Sequence, residues 1–196
     1  MSQSATQAAT LRSRAMDYAL NAALVVGASF VVAACARIYV PLPGTPVPLT
    51  VQNLAVLLVG LALGPWRGFA ALSLYLIEGA SGLPVFSPTG APGIAHLIGP
   101  TGGYLMAYPF VAALTGYIFE RGKQTFARAF FASIAGEVLL FICGLSWLYT
   151  MTHSLAKAIA LGLTWFILAE IIKIMVAAGT MKTWLRLFPR EVAPYV

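Results

Sequence analysis

Two charged residues stand three positions apart inside an apolar stretch of the sequence. Glu170 and Lys173 lie in residues 156–178, a run long and hydrophobic enough to cross a membrane as a helix. A spacing of three places both side chains on one helix face. Because a charge inside a bilayer costs at least about 2.5 to 3.5 kcal/mol, each needs a compensating partner. Either the pair neutralises itself for insertion, or Lys173 meets a ligand carboxylate while Glu170 accepts hydrogen bonds from a polar ligand group.

Other polar positions in or beside apolar runs are candidates for the same site. Glu137 has no lysine or arginine within one helical turn, so it is either protonated or in contact with another element. Gln52 and Asn53, at the start of a second apolar run, either line a cavity or cap a helix. Tyr104 directly follows Gly103, at a point where the backbone can come close to a ligand.

The sequence lacks the motifs of several enzyme classes. There is no G-x-x-x-x-G-K-[ST] phosphate loop, no H-E-x-x-H and no G-x-S-x-G. His96 has no second histidine or cysteine near it, which argues against a metal site. The sequence therefore indicates neither an enzyme nor a bound cofactor or metal.

The composition is typical of a membrane protein. Of the 196 residues, 60% are hydrophobic and 9% are charged, and the mean hydropathy is +0.85. Soluble domains carry about 25% charged residues. The formal net charge is +6, but the basic residues lie at the ends of apolar runs rather than in a patch with interleaved aromatics. We therefore expect lipid around the protein and no nucleic-acid partner.

Six apolar segments predict an all-α integral membrane domain of six transmembrane helices over residues 18–180. The break between the second and third segments rests on Gly64 and Pro65, a strong signal for a helix to stop and restart. Residues 1–17 are predicted to form an N-terminal tail and residues 181–196 a basic C-terminal tail. The six segments are residues 18–36, 49–64, 66–79, 104–119, 126–149 and 156–178.

Basic residues are distributed unequally between the two sides that six helices would define. Nine lie on the side of the termini and two on the other. Because lysine and arginine mark the cytoplasmic side, both termini are predicted to be cytoplasmic. The nine are Arg12, Arg14, Arg67, Arg121, Lys123, Arg128, Lys182, Arg186 and Arg190, and the two are Arg37 and Lys157.

Two segments that cannot form continuous helix fall on the external side. Residues 37–50, the first cap, contain four prolines, and residues 79–104, the second cap, contain seven glycines, four prolines and no charged side chain. Proline removes a backbone donor and glycine costs backbone entropy, so both caps are predicted to be irregular loops, after helices 1 and 3. An uncharged cap can close over an apolar ligand without desolvating a charge.

Four motifs, in this order along the chain, resemble the BioY family, the biotin-binding S components of energy-coupling-factor (ECF) transporters. They are PLPGTPVPLTVQ at residues 41–52, LGPWRGFAALSLYL at 63–76, GLPVFS at 82–87 and GPTGGYL at 99–105. The resemblance covers residues 15–180. It implies high-affinity biotin uptake without enzymatic activity, by a six-helix protein of the bacterial cytoplasmic membrane. It also places the biotin site near the external face, beneath the two caps.

The same resemblance implies partners and site residues. A separate transmembrane T component and two ATPase subunits would supply energy. Small residues at every fourth position of the first helix would dock on the T component, because small side chains let another helix approach closely. This docking stripe is Ala15, Ala19 and Ala23.

For biotin itself, Glu170 and Lys173 match the acid-x-x-lysine pair that binds the polar ends of biotin in the family. Leu105 stands where some members have an arginine that contacts the carboxylate, which leaves Lys173 as the leading carboxylate partner and Glu170 as an acceptor for the ureido N–H groups. The second cap also lacks an asparagine found in some relatives. The predicted biotin site is Lys173, Glu170, Tyr104, Gln52, Gly103 and Phe86. The alternative function is a structural or assembly membrane protein whose charged pair only aids insertion.

Overall fold

Helices account for most of the computed structural model, which describes residues 2–187, with side chains from Arg14 onward. The predicted all-helical class is confirmed, with one pair of two-residue strands added. The elements are α1 (Ser2–Ala36), β1 (Tyr39–Val40), β2 (Leu49–Thr50), α2 (Gln52–Ala80), α3 (Ile94–Ile98), α4 (Gly102–Glu120), α5 (Phe126–Thr152), α6 (Leu155–Gly162) and α7 (Ile167–Leu187).

Four helices in the described part of the chain are long and apolar enough to cross a membrane. They are α2, α4, α5 and the part of α1 from Arg14 to Ala36. Helices α6 and α7, bent by 52° at the break between them, can form a fifth span. The difference from the predicted six arises because residues 49–64 and 66–79, predicted as two helices, lie within α2.

Helix α2 nevertheless reverses direction at its middle. Gly64 has φ +77° and ψ −178°, outside the helical region, and Pro65 follows it. The Gln52 side-chain amide donates a hydrogen bond to the Tyr75 hydroxyl at 2.8 Å, although the two are 23 residues apart. A continuous helix of that length would separate them by roughly 35 Å. The two halves, 52–63 and 65–80, therefore lie antiparallel, as the stop-and-restart signal predicted.

We expect Gly64→Ala to lower the free energy of unfolding by about 1–3 kcal/mol, the usual cost of holding a residue with a Cβ in a disfavoured backbone region. The new methyl group would also collide with the carboxylate of Glu120. Thermal unfolding in detergent measures the change. The control is Gly27→Ala, because Gly27 is helical and has no atom near its Cβ position. An equal effect of both substitutions would contradict the role of the reversal.

Helix α4 lies at the centre of the helical assembly and α1 at its edge. Within an apolar stretch of 18 residues in each helix, 67% of the residues are buried in α4 but 22% in α1. Close packing of α2 on α4 depends on small residues: a Cβ added to Gly60 would lie 2.5 Å from the carbonyl oxygen of Ala112. One side of α1 is therefore left without a partner within the described chain.

Each cap is attached to the helices by side-chain hydrogen bonds. The first cap is closed by the antiparallel pairing of β1 with β2, and its Thr45 hydroxyl donates to the Leu161 carbonyl oxygen at 2.6 Å. The second cap contains α3, and the Trp147 indole N–H of α5 donates to its Gly99 carbonyl oxygen at 2.9 Å. Both caps therefore lie over the helix ends and are held there by these hydrogen bonds.

The two predicted tails are only partly within the described residues. Helix α1 begins at Ser2, so the described part of residues 1–17 continues the first helix. Helix α7 reaches Leu187, and residues 188–196 of the predicted C-terminal tail lie outside the described residues. Which side of a membrane these ends occupy stays a prediction.

Candidate functional site

A cavity of about 560 Å³, including its open mouth, lies beneath the two caps. Both caps, helices α2, α4, α5 and α7, and the break between α6 and α7 contribute to its wall. Apolar side chains such as Leu105, Leu140 and Phe166 cover much of it, and a few polar groups converge at one place.

Three polar side chains form a hydrogen-bonded cluster in the cavity wall. Lys173 Nζ donates to Glu170 Oε1 at 2.8 Å and to Asn53 Oδ1 at 2.6 Å. Asn53 Nδ2 donates in turn to Glu170 Oε2 at 2.5 Å. The side chains of Lys173 and Glu170 are 11% and 8% exposed. These contacts use two of the three N–H donors of the lysine, so the third is available to a ligand.

The helix that carries Glu170 and Lys173 begins after a helix break that the sequence did not predict. Residues 156–178 were expected to be one helix, but α6 ends at Gly162 and α7 begins at Ile167. The break frees main-chain carbonyls, and the Tyr104 hydroxyl donates to that of Gly162 at 2.9 Å. Irregular backbone at membrane depth is tolerated where it lines a cavity and its polar groups have partners. Glu170 lies in the first turn of α7, where the helix dipole stabilises a negative charge.

Tyr104 and Gln52 line the same cavity as Glu170 and Lys173. The Tyr104 ring meets the Phe141 ring edge to face, with centroids 6.3 Å apart. One N–H of the Gln52 side-chain amide donates to the Tyr75 hydroxyl, which donates in turn to a carbonyl of the second cap at 3.1 Å. The other N–H and the carbonyl oxygen of the Gln52 amide remain for a ligand.

Gly103 and Phe86, both predicted to contact the ligand, are not part of the cavity wall. Gly103 packs against α5, where a Cβ would overlap the side chain of Trp147. Phe86 is buried between Tyr75 and His96, with ring centroids 5.4 and 5.1 Å away. Both residues fix the position of wall elements, because close helix packing and cap packing depend on them.

All of these positions lie within one region of sequence similarity. The sequence matches the family model described as the BioY family over residues 4–190. The chain belongs to the BioY family. The prediction made from the four motifs is thereby confirmed.

Relatives in the BioY family share much of the chain. The biotin transporter BioY2 of Lactococcus lactis subsp. cremoris is 41% identical over 128 residues, which are 65% of this chain and 70% of the relative. The biotin transporter BioY of Thermotoga maritima is 36% identical over 140 residues, 71% of this chain and 82% of the relative. A solved structure, the S-component for biotin from an ECF-type ABC transporter, matches with a TM-score of 0.77 at 21% identity, covering 87% of this chain and 93% of that chain. The fold of this BioY chain is therefore similar to that of the S-component for biotin.

Asn53 is the residue of this BioY chain that sequence reasoning placed least well. The sequence left it as either a cavity residue or a helix cap, and the structure puts it at the centre of the cluster, donating to one acid and accepting from the lysine. An amide inside an apolar run was the available signal. Because Glu170 and Lys173 bond to another helix inside a cavity, the insertion-only alternative is not favoured.

His96 and Ser87 were also absent from the predicted site. They line this cavity and a second, outer cavity of about 400 Å³ that Arg37 borders. Burial lowers the pKa of His96, and its Nδ1 lies 3.0 Å from the Ala91 carbonyl oxygen. A histidine of this kind is neutral at neutral pH. The partition between the two cavities is therefore uncharged.

The docking stripe predicted on the first helix is accessible in the described part of the chain. Ala15, Ala19 and Ala23 are all exposed. Ala23 and Gly27 also border an apolar groove between α1 and α2. The described residues thus leave this face accessible to another helix.

Proposed function

We propose that the chain binds biotin in the capped cavity, with high affinity, and serves as the substrate-binding S component of an ECF transporter. The observation that carries this proposal is the Lys173–Asn53–Glu170 cluster in the wall of an otherwise largely apolar cavity beneath the two caps. Biotin combines a polar ureido ring, an apolar ring and chain, and a carboxylate, which suit such a site. The names of the BioY relatives agree with it.

The ion pair limits how biotin can lie. Because Glu170 and Lys173 are 2.8 Å apart, they face the same end of an elongated ligand. The predicted division, with the lysine at the carboxylate and the acid at the ureido ring, would require the pair to separate. An adjacent donor and acceptor match the ureido C=O and N–H. In our proposal the ureido ring therefore meets the cluster, and the carboxylate points towards the caps.

Titration of purified, ligand-free protein with biotin tests the function directly. We expect one site per chain with a dissociation constant in the nanomolar range. Mass spectrometry of the protein as purified should also find biotin bound. Wild-type protein with no measurable affinity for biotin would refute the proposal.

Several finer features belong to the same proposal. Counting the two halves of α2 separately and α6 with α7 together gives six helices over residues 18–180, flanked by two cytoplasmic tails. The protein would lie in the bacterial cytoplasmic membrane and associate with a T component and two ATPase subunits. The excess of basic residues near the termini and the open face of α1 support this arrangement.

A bulky residue on the docking stripe should separate binding from transport. We expect Ala19→Trp or Ala23→Trp to reduce energised biotin uptake by about tenfold or more, equivalent to ~1.4 kcal/mol of lost association, because the indole blocks close helix contact. Affinity of the isolated chain for biotin should not change. Ala160→Trp, at an exposed position of α6, is the control. If biotin binding falls together with uptake, the stripe is internal packing rather than a docking face.

A further inference from the structure

A second buried carboxylate lies directly behind the binding cluster. Glu137 of α5 is 4% exposed and is not part of the cavity wall. The same Asn53 Nδ2 that donates to Glu170 Oε2 at 2.5 Å also donates to Glu137 Oε1 at 3.1 Å. The other oxygen, Glu137 Oε2, has no hydrogen-bond partner among the described residues. Two acids therefore share one amide nitrogen, and one acid oxygen is left over.

The charges around Glu137 do not balance if every group is ionised. Helix α7 presents Glu170 and Lys173 to it, and α4 presents the buried hydroxyl of Tyr108. Helix α2 contributes the uncharged Asn53 and, beyond Tyr108, the hydroxyl of Tyr75. The lysine of α6, Lys157, is exposed. One cation thus faces two acids. Two buried carboxyl groups that share one amide donor cannot both be ionised without a large cost in free energy.

The two acids differ in how well they are stabilised as anions. Glu170 accepts from Lys173 and from Asn53 and lies in the first turn of α7. Glu137 has only its share of the asparagine amide. A single proton on the pair therefore belongs on Glu137, because hydrogen bonds and an adjacent cation favour the charged form of the other acid.

We propose that Glu137 carries this proton in the binding-competent protein and acts as a positioning residue for the site. The proton makes the cluster neutral overall, with one anion, one cation and one acid. The neutral acid can donate its O–H towards Glu170 and leaves that carboxylate aligned on Lys173. The inference rests on the proposed function, because its consequence is that the donor Lys173 and the acceptor Glu170 are both held in position to bind the ligand.

The proposal predicts a pH dependence of binding with a definite sign. Loss of the proton at high pH adds a buried negative charge beside Glu170, which draws Lys173 and Asn53 away from their ligand-binding positions. Affinity should therefore fall as pH rises. The variant Glu137→Gln has the same shape and cannot lose this proton. Its affinity at neutral pH should stay within about threefold of the wild type, well under the tenfold that ~1.4 kcal/mol represents.

The test is a biotin titration, from neutral to alkaline pH, of wild-type protein, Glu137→Gln and the control Glu120→Gln. The Glu120 side chain is exposed at the end of α4. We expect the alkaline loss of affinity to move to higher pH by at least about one unit in Glu137→Gln, a tenfold change in proton concentration, and not to move in the control. An unchanged profile in Glu137→Gln, or loss of its binding at neutral pH, would overturn the proposal. Wild-type affinity at neutral pH separately tests the function.

Infrared difference spectroscopy keeps the proposal testable if Glu137→Gln does not fold. Wild-type protein at neutral pH should show the C=O stretching band of a protonated carboxylic acid that is shielded from solvent exchange. The band should disappear over the same alkaline range in which biotin affinity falls. Absence of the band at neutral pH would exclude a protonated Glu137.

Discussion

Replacing Lys173 by alanine is expected to weaken biotin binding at least about a hundredfold at neutral pH. The substitution removes a donor that faces the ligand and leaves Glu170 buried without its cation at 2.8 Å. Removing one partner of a buried ion pair costs about 3–5 kcal/mol of folding stability, and losing the hydrogen bond from a charged donor to the ligand costs about 1.5–3 kcal/mol of binding free energy, which is enough for that loss of affinity. Isothermal titration of the purified variant with biotin measures it. Lys157→Ala, which removes an exposed lysine of α6, should leave the affinity unchanged.

The same variant separates the two orientations of biotin. Biotinamide replaces the ligand carboxylate by a neutral amide. If Lys173 donates to the ureido oxygen, Lys173→Ala should lose the same factor for biotin and for biotinamide. A loss confined to biotin would place the carboxylate at the lysine and contradict the orientation proposed above. If the variant is poorly folded, the pair Glu170→Gln with Lys173→Met removes both charges together and gives the same comparison.

Replacing Asn53 by aspartate should have the second largest effect, with a loss of biotin affinity of at least about tenfold and a lower unfolding temperature. Asn53 Nδ2 donates to the carboxyl groups of Glu137 and Glu170, and an aspartate offers acceptors only. The change leaves two acids without their shared donor and adds a third acid, and each unsatisfied buried group costs about 1–3 kcal/mol. Titration with biotin and thermal unfolding measure the two effects.

The matched control for this substitution is Asn21→Asp, on the peripheral helix α1 and remote from the cavity wall. It changes the same chemical group without touching the cluster, so biotin affinity should not shift appreciably. Retention of full biotin affinity by Asn53→Asp would show that the asparagine has no part in the site. Restoration of affinity at acid pH, where the acids are protonated, would support the assigned contacts.

The sequence predicted those features that depend on neighbouring residues. Apolar runs locate the helices, and the spacing of Glu170 and Lys173 predicts the observed pair on one face of α7. Glycine followed by proline predicts the reversal in α2, because that dipeptide disfavours continued helix. These are local properties, and the local sequence is sufficient to determine them.

Features that depend on contacts between distant residues could not be predicted in the same way. Asn53 and Lys173 are 120 residues apart, so nothing in the spacing indicates their hydrogen bond. The break between α6 and α7 is stabilised by hydroxyls of Thr45 and Tyr104 that come from elsewhere in the chain. Gly103 and Phe86 have types suited to a ligand site, but helix packing and cap packing decide which way they face.

The break between α6 and α7 also bears on how long a ligand stays bound. Thr45 of the first cap is held by a main-chain carbonyl that exists as an acceptor only because the helix is interrupted there. Lifting the cap leaves that carbonyl unpaired unless water reaches it, at about 1–3 kcal/mol. A cavity filled by ligand excludes water and so keeps the cap down, whereas an emptied cavity admits water and lets it rise. Dissociation would therefore be limited by hydration of the helix break, and slow exchange would accompany tight binding.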